Sequence, residues 1–471
     1  MPQVEILRGI FADGAPNLRT GLPRNLVPVP KSSGVSDGYL RPGDGLVHYV
    51  TGPGRDRGGV GWNGDHYRVM GERMVRIDGP GAYTDLGLLP GIDRCVFAFS
   101  FDKIAIVASN RMFYFDGTQV QEVTDPDLGA VISVEWVDGM FAMTDGTSIP
   151  VTDLADPYSI NPLRYGSSEA DADPIVALIR LRNELHAVNR YSVEVFQNVG
   201  GSRSPLQRTP SAFVGRGAIG THACCLLGEF VAVVGGARNE ALAVWLLANG
   251  TSAKISTREI DTVLEGYTPD ELQTIVLEAR SYRGHEHLYL HLPDKTLLFD
   301  ARASLEMKTP IWCQLDSGVQ TPSLYRAIGF VEHSGSWYAG DPSSNSVCVV
   351  DTTISSHYGS HIQHEFGTAI LYLDGNSGIV HEIELVTLPG SVKTANTYGV
   401  IYTSHSSDGQ TYSQEVSARA PGPGEAAKRI GWRTCGQINN WRVQRFRWLS
   451  DVHVAVLRLN VAIEPLRTRP G

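Results

Sequence analysis

Three glycines, Gly215, Gly217 and Gly220, have the Gly-x-Gly-x-x-Gly spacing of loops that bind dinucleotides, and Glu240 follows later in the chain. Such a loop holds a pyrophosphate only where a helix begins directly after the glycines, because amides at the helix N-terminus bind the phosphate oxygens. The residues that follow here, Cys224 to Gly235, instead have the pattern of a β-hairpin. We therefore predict a glycine-rich turn and no nucleotide cofactor.

Histidines could bind a metal ion at two places in the chain. Gly359 and the lack of apolar periodicity argue against a helix that would gather the first group on one face. A metal also needs convergent ligands with further hydrogen-bonding support, which the sequence does not supply for either group. We therefore predict solvated linker or strand-surface histidines and no metal ion. The two groups are His357, His361 and His364, and His285, His287 and His291.

The inventory of catalytic residues is weak. A glycosidase needs two carboxylates about 5–10 Å apart across a cleft, and the paired carboxylates of this chain have the pattern of loop tips and strand positions. Neither a Gly-x-Ser-x-Gly elbow nor a Gly-Lys-Ser/Thr phosphate loop is present. We predict that the chain is not an enzyme. The carboxylate pairs are Asp125 and Asp127, Asp171 and Asp173, and Glu382 and Glu384.

Cations and aromatic residues alternate near the C-terminus, where Ala426 to Ile463 contains seven Lys or Arg and one acidic residue, Asp451. Arginine with aromatic residues is typical of protein interfaces and also suits nucleic-acid contact. A half-buried strand gives the same alternation, with a core face and a cationic face. We favour a protein interface over a solvated strand face and over nucleic-acid contact. The candidate interface residues are Arg429, Trp432, Arg433, Trp441, Arg442, Arg445 and Arg447.

Short strands closed by tight turns must position these residues. Asp-Gly occurs nine times and Asn-Gly twice, and both pairs tolerate the positive φ of hairpin turns. Paired strands begin at intervals of 35 to 55 residues, near Trp62, Phe97, Val134, Leu181, Leu226, Ser281 and Gly329. A propeller blade of four strands takes about 40–50 residues, so the spacing favours an all-β chain with a β-propeller of six or seven blades. Two successive β-sandwiches are the rival interpretation.

The chain divides into four predicted regions. Residues 1–57 hold seven prolines and indicate an extended N-terminal arm, and 58–353 form the propeller. A capping box at Thr268 predicts one short inserted helix near 268–280. The polar, His-rich residues 354–367 indicate a linker, and 368–471 indicate a C-terminal β-sandwich.

Composition narrows the function classes further. The net charge of −10 excludes a protein that wraps nucleic acid over a broad basic face. The longest apolar run, Ala241 to Ala248, is too short to cross a bilayer, and Met1 to Ile10 has no apolar core region, so we expect neither a transmembrane helix nor a secretory signal. Six scattered cysteines without a Cys-x-x-Cys indicate reduced thiols in a protein made in the cytosol.

Short motifs lie along most of the chain in a fixed order. They are Gly38-Tyr39-Leu40-Arg41, Tyr267-Thr268, His291-Leu292-Pro293, Phe299-Asp300-Ala301, Trp312-Cys313, Tyr325-Arg326, Gly340-Asp341, Ile354-Ser355-Ser356, Ser407-Asp408-Gly409 and Arg429-Ile430-Gly431-Trp432-Arg433. With these motifs the chain resembles the packaged-DNA stabilisation proteins, or tail hub proteins, of short-tailed lambdoid-type phages. The resemblance covers roughly residues 38 to 463 and is densest from 260 to 450.

The resemblance implies a structural protein of the virion tail, assembled in the host cytoplasm. It implies a homo-oligomer, a hexameric ring below the head-to-tail adaptor protein, that stabilises packaged DNA and anchors a tail needle and tailspikes or fibres. DNA would pass through the ring at ejection without sequence-specific binding. The resemblance carries over no catalytic residue.

Two other function classes stay open at the level of sequence. A host-surface propeller that binds or cleaves glycans predicts an acidic, aromatic-lined pocket at one mouth of the propeller. A monomeric propeller scaffold of non-viral origin is the third possibility.

Overall fold

In the computed structural model, the described residues are 3–12, 19–31, 36–153, 156–201, 205–373, 376–388, 399–422, 425, 428–450 and 452–466. Most of these residues lie in short strands, and every pairing between two strands is antiparallel. The predicted turns at Asp13-Gly14 and Asp374-Gly375 and the predicted acidic residue Asp451 lie outside the described residues. None of the helices in the described ranges is long and apolar enough to span a membrane.

Seven four-stranded sheets follow one another along the chain, which confirms the predicted six or seven blades. Each of sheets 1 to 6 is made of four consecutive strands. Sheet 1 is Asp56–Trp62, Asp65–Met70, Arg73–Gly79 and Ala82–Leu88; sheet 2 is Val96–Phe99, Ile104–Ala108, Arg111–Phe115 and Val120–Glu122; sheet 3 is Ser133–Val137, Met140–Thr144, Ser148–Thr152 and Ile160–Ser167. Sheet 4 is Ile175–Leu181, Glu184–Asn189, Val193–Asn198 and Leu206–Arg208; sheet 5 is Cys224–Leu227, Phe230–Gly235, Ala243–Ala248 and Thr251–Lys254; sheet 6 is Val276–Tyr282, His285–His291, Thr296–Asp300 and Trp312–Leu315.

Sheet 7 closes the propeller with a strand from the N-terminal part of the chain. It contains Ile328–His333, Ser336–Gly340 and Ser346–Asp351, and its fourth strand is Gly45–Thr51. The first strands of neighbouring sheets contact one another in sequence, and the first strand of sheet 7 contacts that of sheet 1. The sheets therefore form a closed circle, which is the arrangement of a β-propeller.

The turns within the sheets follow the predicted chemistry. Asn63, Asp138 and Asn249 have positive φ (51°, 46° and 48°), and each is followed by a glycine that also has positive φ. This is the conformation that a two-residue hairpin turn requires, and asparagine, aspartate and glycine adopt it at low cost. The Asp145 carboxylate instead holds its turn by accepting from the amides of Thr147 and Ser148 (2.8 and 2.7 Å).

The propeller has no single core. Instead, a separate cluster of buried apolar residues fills each of the seven interfaces between neighbouring sheets in the described part of the chain. Between sheets 1 and 2, for example, Val69 and Met74 pack against Ile104 and Phe115. Alternate residues of a strand face opposite sides, so each sheet supplies apolar side chains to the interface on either side of it.

The predicted N-terminal arm is wrong. Gly45–Thr51 from this region belongs to sheet 7 of the propeller. Leu26–Pro30 and Gly38–Pro42 pair with each other and join a sheet of the C-terminal region. Two of the prolines that suggested an arm, Pro28 and Pro30, are tolerated because Leu26–Pro30 is an edge strand, where a missing amide donor breaks no ladder. The remaining described strands of this region are short: Gln3–Val4, Phe11–Ala12 and Arg19–Gly21.

The helical prediction is partly wrong. The capping box at Thr268 is present, but its helix, Pro269–Gln273, is only one turn and a half long. Val276–Tyr282, predicted to begin within the helix, is the first strand of sheet 6 and pairs with His285–His291. Two further helices, Arg258–Glu265 and Ala301–Met307, were not predicted.

The C-terminal region is a sandwich of two sheets around one apolar cluster, which contains the large side chains of Trp432, Trp448, Phe366 and Phe446. Leu26 and Leu40 from the N-terminal strands belong to the same cluster. The seven-stranded sheet has the order Ile430–Arg433, Gly378–Leu388, Ala455–Pro465, Gly38–Pro42 and Leu26–Pro30, with Gln437–Ile438 and Gln3–Val4 attached. The five-stranded sheet has the order Gln363–Gly367, Trp441–Leu449, Val400–Ser406 and Val416–Arg419, with Leu371–Tyr372 attached.

A buried ion pair joins the propeller to the sandwich. Arg24 donates to Asp316, just after the last strand of sheet 6, and both side chains are at most 5% exposed. The backbone of Arg24 also pairs with Glu365 in the five-stranded sheet. Residues 354–367, predicted as a solvated linker, therefore run partly inside this junction, where Gln363–Gly367 is a strand.

Candidate functional site

The cationic strand predicted near the C-terminus is Trp441–Leu449, a central strand of the five-stranded sheet. Phe446 and Trp448 point into the sandwich and are at most 1% exposed, whereas Arg445 and Arg447 lie on the outer face. This is the two-sided pattern that the alternation predicts for a half-buried strand.

Carboxylates neutralise the outer face of this strand. Arg447 forms a forked ion pair with Glu415, and its hydrogen bonds lower the pKa of the Glu415 carboxyl. The guanidinium of Arg445 lies 3.7 Å from Glu415 and 3.9 Å from Glu365, and it stacks 4.0 Å above the ring of Tyr412. The face therefore presents ordered, paired arginines and little net positive charge.

Two of the seven predicted interface residues are buried and belong to the structure of the sandwich. Trp432 packs against Phe446, and its indole nitrogen donates to the carbonyl of Val416 at 3.0 Å. Arg442 is 2% exposed and donates to Gln444 and to the carbonyl of Cys435. Burial lowers the pKa of Arg442 to about 10. The interface prediction is wrong for these two residues, because strand alternation turns both inward.

The other predicted interface residues lie on two different sheets. Arg429 directly precedes the strand Ile430–Arg433 of the seven-stranded sheet, and Arg433 is its last residue. Both lie across the apolar core from Arg445 and Arg447. Arg429 pairs with Glu384, while the Arg433 side chain is 86% exposed and lies 4.0 Å from Glu382.

The last of the seven, Trp441, is half-buried and pairs with Tyr372 at the side of the five-stranded sheet. The cations that are continuous in sequence thus form two separate surfaces, one on each outer side of the sandwich.

The glycine motif has a structural role in the contact between sheets 4 and 5. A side chain on Gly217 would place its Cβ 2.1 Å from the carbonyl oxygen of Asn189, so the backbones approach too closely for any other residue. Arg216 forms a forked ion pair with Glu240 (2.9 and 3.1 Å) and covers the ring of Trp245. The strands Cys224–Leu227 and Phe230–Gly235 form the predicted hairpin after the glycines.

The prediction of solvated histidines is wrong for most of both groups. His357 and His364 are buried at the junction of propeller and sandwich; His364 stacks on Trp448 with an interplanar angle of 8°. Burial is the largest cause that lowers the pKa of His364, to about 3. His287 and His291 are also buried, in sheet 6, whereas His361 is exposed. The sequence did not reveal the burial of His287, His291 and His364, because polar residues interrupt the apolar pattern of their strands, His285–His291 and Gln363–Gly367.

A polar cluster joins sheets 6 and 7 near the first strands of the propeller. Glu278 accepts from the amides of Gly329 and Phe330 (2.9 and 3.0 Å), lies 2.8 Å from His291 Nε2 and lies 3.7 Å from Arg94. Burial alone would raise the pKa of Glu278, but His291 and Arg94 lower it to about 2. The carboxylate is ionised at neutral pH and is fully engaged in holding strands together.

The carboxylate pairs considered for hydrolysis are likewise engaged. Asp125 accepts from the amides of Asp127 and Ile160 (2.8 and 2.9 Å), which fixes a loop of sheet 3. Asp171 pairs with Arg238 at 2.9 Å. A carboxylate that already accepts these bonds belongs to a structural contact, so the geometry favours no acid–base pair here.

Comparison with known proteins matches both parts of the chain. The family described as bacteriophage P22 Gp10, beta-propeller, matches residues 2–355, and the family described as bacteriophage P22 Gp10, beta-sandwich, matches residues 363–464. The tail hub protein gp10 of Salmonella phage P22 is 27% identical over 465 residues, which cover 94% of this chain and 95% of that protein.

Two solved structures match this chain at low sequence identity. The N-terminal domain of Nup159 covers 70% of this chain and 99% of its own at 11% identity, with a TM-score of 0.41. PorZ of the type-IX secretion system of Porphyromonas gingivalis covers 72% of this chain and 44% of its own at 11% identity, with a TM-score of 0.39.

Proposed function

We propose that this chain, which belongs to the bacteriophage P22 Gp10 family, is a structural tail hub protein of a phage virion. The observation that carries this conclusion is that the propeller and the sandwich match the two parts of the same family in the same order. The resemblance that the sequence motifs indicated is confirmed, and membership in this family does not favour a glycan-binding propeller. A tail hub homologue points to a structural role and not to an enzymatic one.

We infer that the hub works as a ring of copies, six in number, below a head-to-tail adaptor. A propeller suits this role because its sheets are closed into a circle and offer few free edges for uncontrolled pairing. Copies that follow one another around an axis need two different, complementary surfaces on each copy. The two outer faces of the sandwich, with Arg445 and Arg447 on one and Arg429 and Arg433 on the other, are candidates for such a pair.

The acidic net charge and the paired arginines are consistent with a hub through which DNA passes without binding tightly. The chain carries a net charge of −10, and Glu365 and Glu415 already pair the arginines of the five-stranded sheet. Each free cation that meets a phosphate adds affinity through counterion release, so paired arginines would retain passing DNA only weakly. A tail needle and tailspikes or fibres complete the proposed set of partners.

The function is tested on filled phage heads that carry the adaptor and lack this protein. Purified chain added to such heads is expected to protect the packaged DNA from leakage and from nuclease. Heads without the chain should lose their DNA on the same timescale. DNA that stays equally protected with and without the chain would contradict the proposal.

The docking surface is tested separately with the double variant Arg445→Ala, Arg447→Ala. We expect it to fold but to bind the adaptor or its neighbouring copies more weakly. The matched control is Arg76→Ala, which removes an exposed arginine paired with Asp78 in sheet 1. Unchanged ring and adaptor assembly in the double variant would exclude this face as the docking surface.

A further inference from the structure

Two histidines and one carboxylate converge at the end of sheet 6, outside any surface considered above. His285 and His287 occupy alternate positions of one strand, so their side chains project from the same face. Asp300 ends the neighbouring strand and pairs directly opposite His287. Strand alternation and register together bring the three side chains into one place.

The donor atoms of this cluster lie close enough to share one cation. Asp300 Oδ2 lies 2.7 Å from His285 Nδ1 and 3.3 Å from His287 Nε2, and the three donor atoms all lie within 4.8 Å of one another. Ligand atoms around a tetrahedral zinc ion are roughly 3.3 Å apart, given zinc–ligand bonds of about 2.0–2.1 Å. A small outward movement of His285 would therefore complete the geometry.

Metal ions bind neutral imidazoles through a ring-nitrogen lone pair and carboxylates in the ionised form. The ring nitrogens of His285 and His287 that face Asp300 lie 2.7 and 3.3 Å from its carboxylate oxygen. A bound ion would replace these contacts, with the proton of each imidazole on its other ring nitrogen.

The surroundings fix the ligands and leave one side open. The second oxygen of Asp300 accepts from the amide of Ala303 at 2.9 Å, which orients the carboxylate. The ring of Tyr282 stacks against His287 with centroids 6.4 Å apart. The His285 side chain is 16% exposed, so an ion can enter from this side and a water molecule can occupy the remaining position.

The donor set selects the type of ion. Two imidazoles and one carboxylate suit Zn²⁺ and its spectroscopic substitute Co²⁺, whereas Ca²⁺ and Mg²⁺ take oxygen ligands. Arg280 on the adjacent strand and Arg41 of Gly38–Pro42 both pair with the carboxylate of Asp44, which offsets their positive charge.

We propose that His285, His287 and Asp300 bind one Zn²⁺ ion, with water as the fourth ligand. The ion would tie two strands of sheet 6 to the helix Ala301–Met307, which Asp300 caps. Met307 at the end of this helix packs against the apolar cluster of the sandwich. The site would therefore stiffen the connection between the propeller and the sandwich.

The proposal is tested on the full chain after chelator treatment and dialysis. Calorimetric titration with Zn²⁺ should give one ion per chain, and Co²⁺ should give the visible absorption of a four-coordinate site. His285→Ala and Asp300→Asn should each weaken Zn²⁺ binding at least about tenfold. The amide oxygen introduced by Asp300→Asn can still accept from the Ala303 amide, so this variant keeps the helix cap and should keep the wild-type circular dichroism spectrum.

The control variant is His381→Ala, which removes an exposed histidine paired with Glu464 on the sandwich. It should bind Zn²⁺ and Co²⁺ as the wild type does. The proposal is overturned if the wild type takes up no stoichiometric Zn²⁺. It is also overturned if folded His285→Ala and Asp300→Asn bind Zn²⁺ with wild-type affinity, because adventitious surface binding would then explain the titration.

Discussion

The propeller and the sandwich are assembled in opposite ways along the chain. Each of sheets 1 to 6 is built from four consecutive strands, so most of its contacts join residues that are near in sequence. The seven-stranded sandwich sheet instead combines strands from residues 3–42 with strands from residues 378–465. Contacts between distant segments require a larger loss of chain entropy before they form, so the sandwich is expected to be completed late in folding.

The difference shows that the N-terminal segment joins the two parts. Gly45–Thr51 closes the propeller, and Leu26–Pro30 and Gly38–Pro42 belong to the sandwich. Arg24 precedes these strands in the chain and pairs with Asp316. The propeller and the sandwich are therefore joined twice, by the direct connection and by this N-terminal segment.

We expect the largest loss of stability from breaking a buried ion pair, either at the junction of propeller and sandwich or where sheet 7 meets sheet 1. Asp316→Ala leaves Arg24 buried without its carboxylate, and Asp56→Ala does the same to Arg68, which also donates to Gly329 of sheet 7. Each variant should lose about 3–5 kcal/mol of unfolding free energy in denaturant titrations. In hydrogen-exchange measurements, Asp316→Ala should speed the exchange of the backbone amides of Gln363–Gly367, while the amides of sheets 2 to 5 stay protected.

Asp56→Ala should instead increase exchange in sheets 1 and 7. If both variants raised amide exchange uniformly over the whole chain, the propeller and the sandwich would unfold as a single cooperative unit.

The next effect compares a closing strand with a local one. Leu46 in Gly45–Thr51 and Leu185 in sheet 4 are both fully buried, so alanine at either position should cost about 2–5 kcal/mol. Leu46→Ala should also speed amide exchange in Ser346–Asp351, because this strand pairs with Gly45–Thr51, the strand that carries Leu46. Leu185→Ala should leave sheet 7 unaffected. Equal protection of Ser346–Asp351 in the two variants would contradict the closure.

A smaller effect depends on pH and concerns the junction. Burial lowers the pKa of His364 to about 3, whereas an unfolded histidine titrates near 6.5, so protons bind preferentially to the unfolded chain between these values. The contribution of His364 is therefore complete above about pH 6.5 and is lost as the pH falls toward 3, with a slope of up to about 1.4 kcal/mol per pH unit.

The variant His364→Phe keeps the stack on Trp448 and removes this titration. Chemical denaturation at pH 7.5, 6 and 5 should show a flatter stability profile for the variant than for the wild type. Parallel profiles would mean that His364 is accessible to protons in the folded chain.

The smallest effect concerns the outer face of the five-stranded sheet. Arg447→Ala removes a partly exposed ion pair with Glu415 and should cost only about 0.2–1 kcal/mol. Arg76→Ala in sheet 1 should cost a similar amount. A loss of several kcal/mol for Arg447→Ala alone would show that this arginine is a structural residue of the sandwich and not part of a docking face.

The propeller was predictable because its information is local. Turn pairs such as Asn63-Gly64 and Asp138-Gly139 mark the hairpins directly, and the spacing of the hairpins predicts six or seven sheets. The strand Gly45–Thr51 could not be recognised as part of sheet 7, because its partner Ser346–Asp351 is almost 300 residues away. The prolines of Leu26–Pro30 misled for the same reason, since only the tertiary structure shows that this strand lies at an edge.

The candidate site was only partly predictable. Alternation correctly placed Phe446 and Trp448 inside and Arg445 and Arg447 outside. Alternation also turns Arg442 inward, but it does not show the polar partners that allow a buried arginine, or that Arg433 would lie on the opposite sheet. Likewise, the spacing of His285 and His287 was visible, but Asp300 joins them only through the register of the neighbouring strand.

We propose that this tail hub protein assembles as a ring on a head-to-tail adaptor. Native mass spectrometry with negative-stain imaging, on the purified chain alone and mixed with the adaptor, tests this assembly most directly. We expect a closed ring of six copies, formed either alone or on the adaptor. A chain that stays monomeric and does not bind the adaptor would contradict the proposed ring.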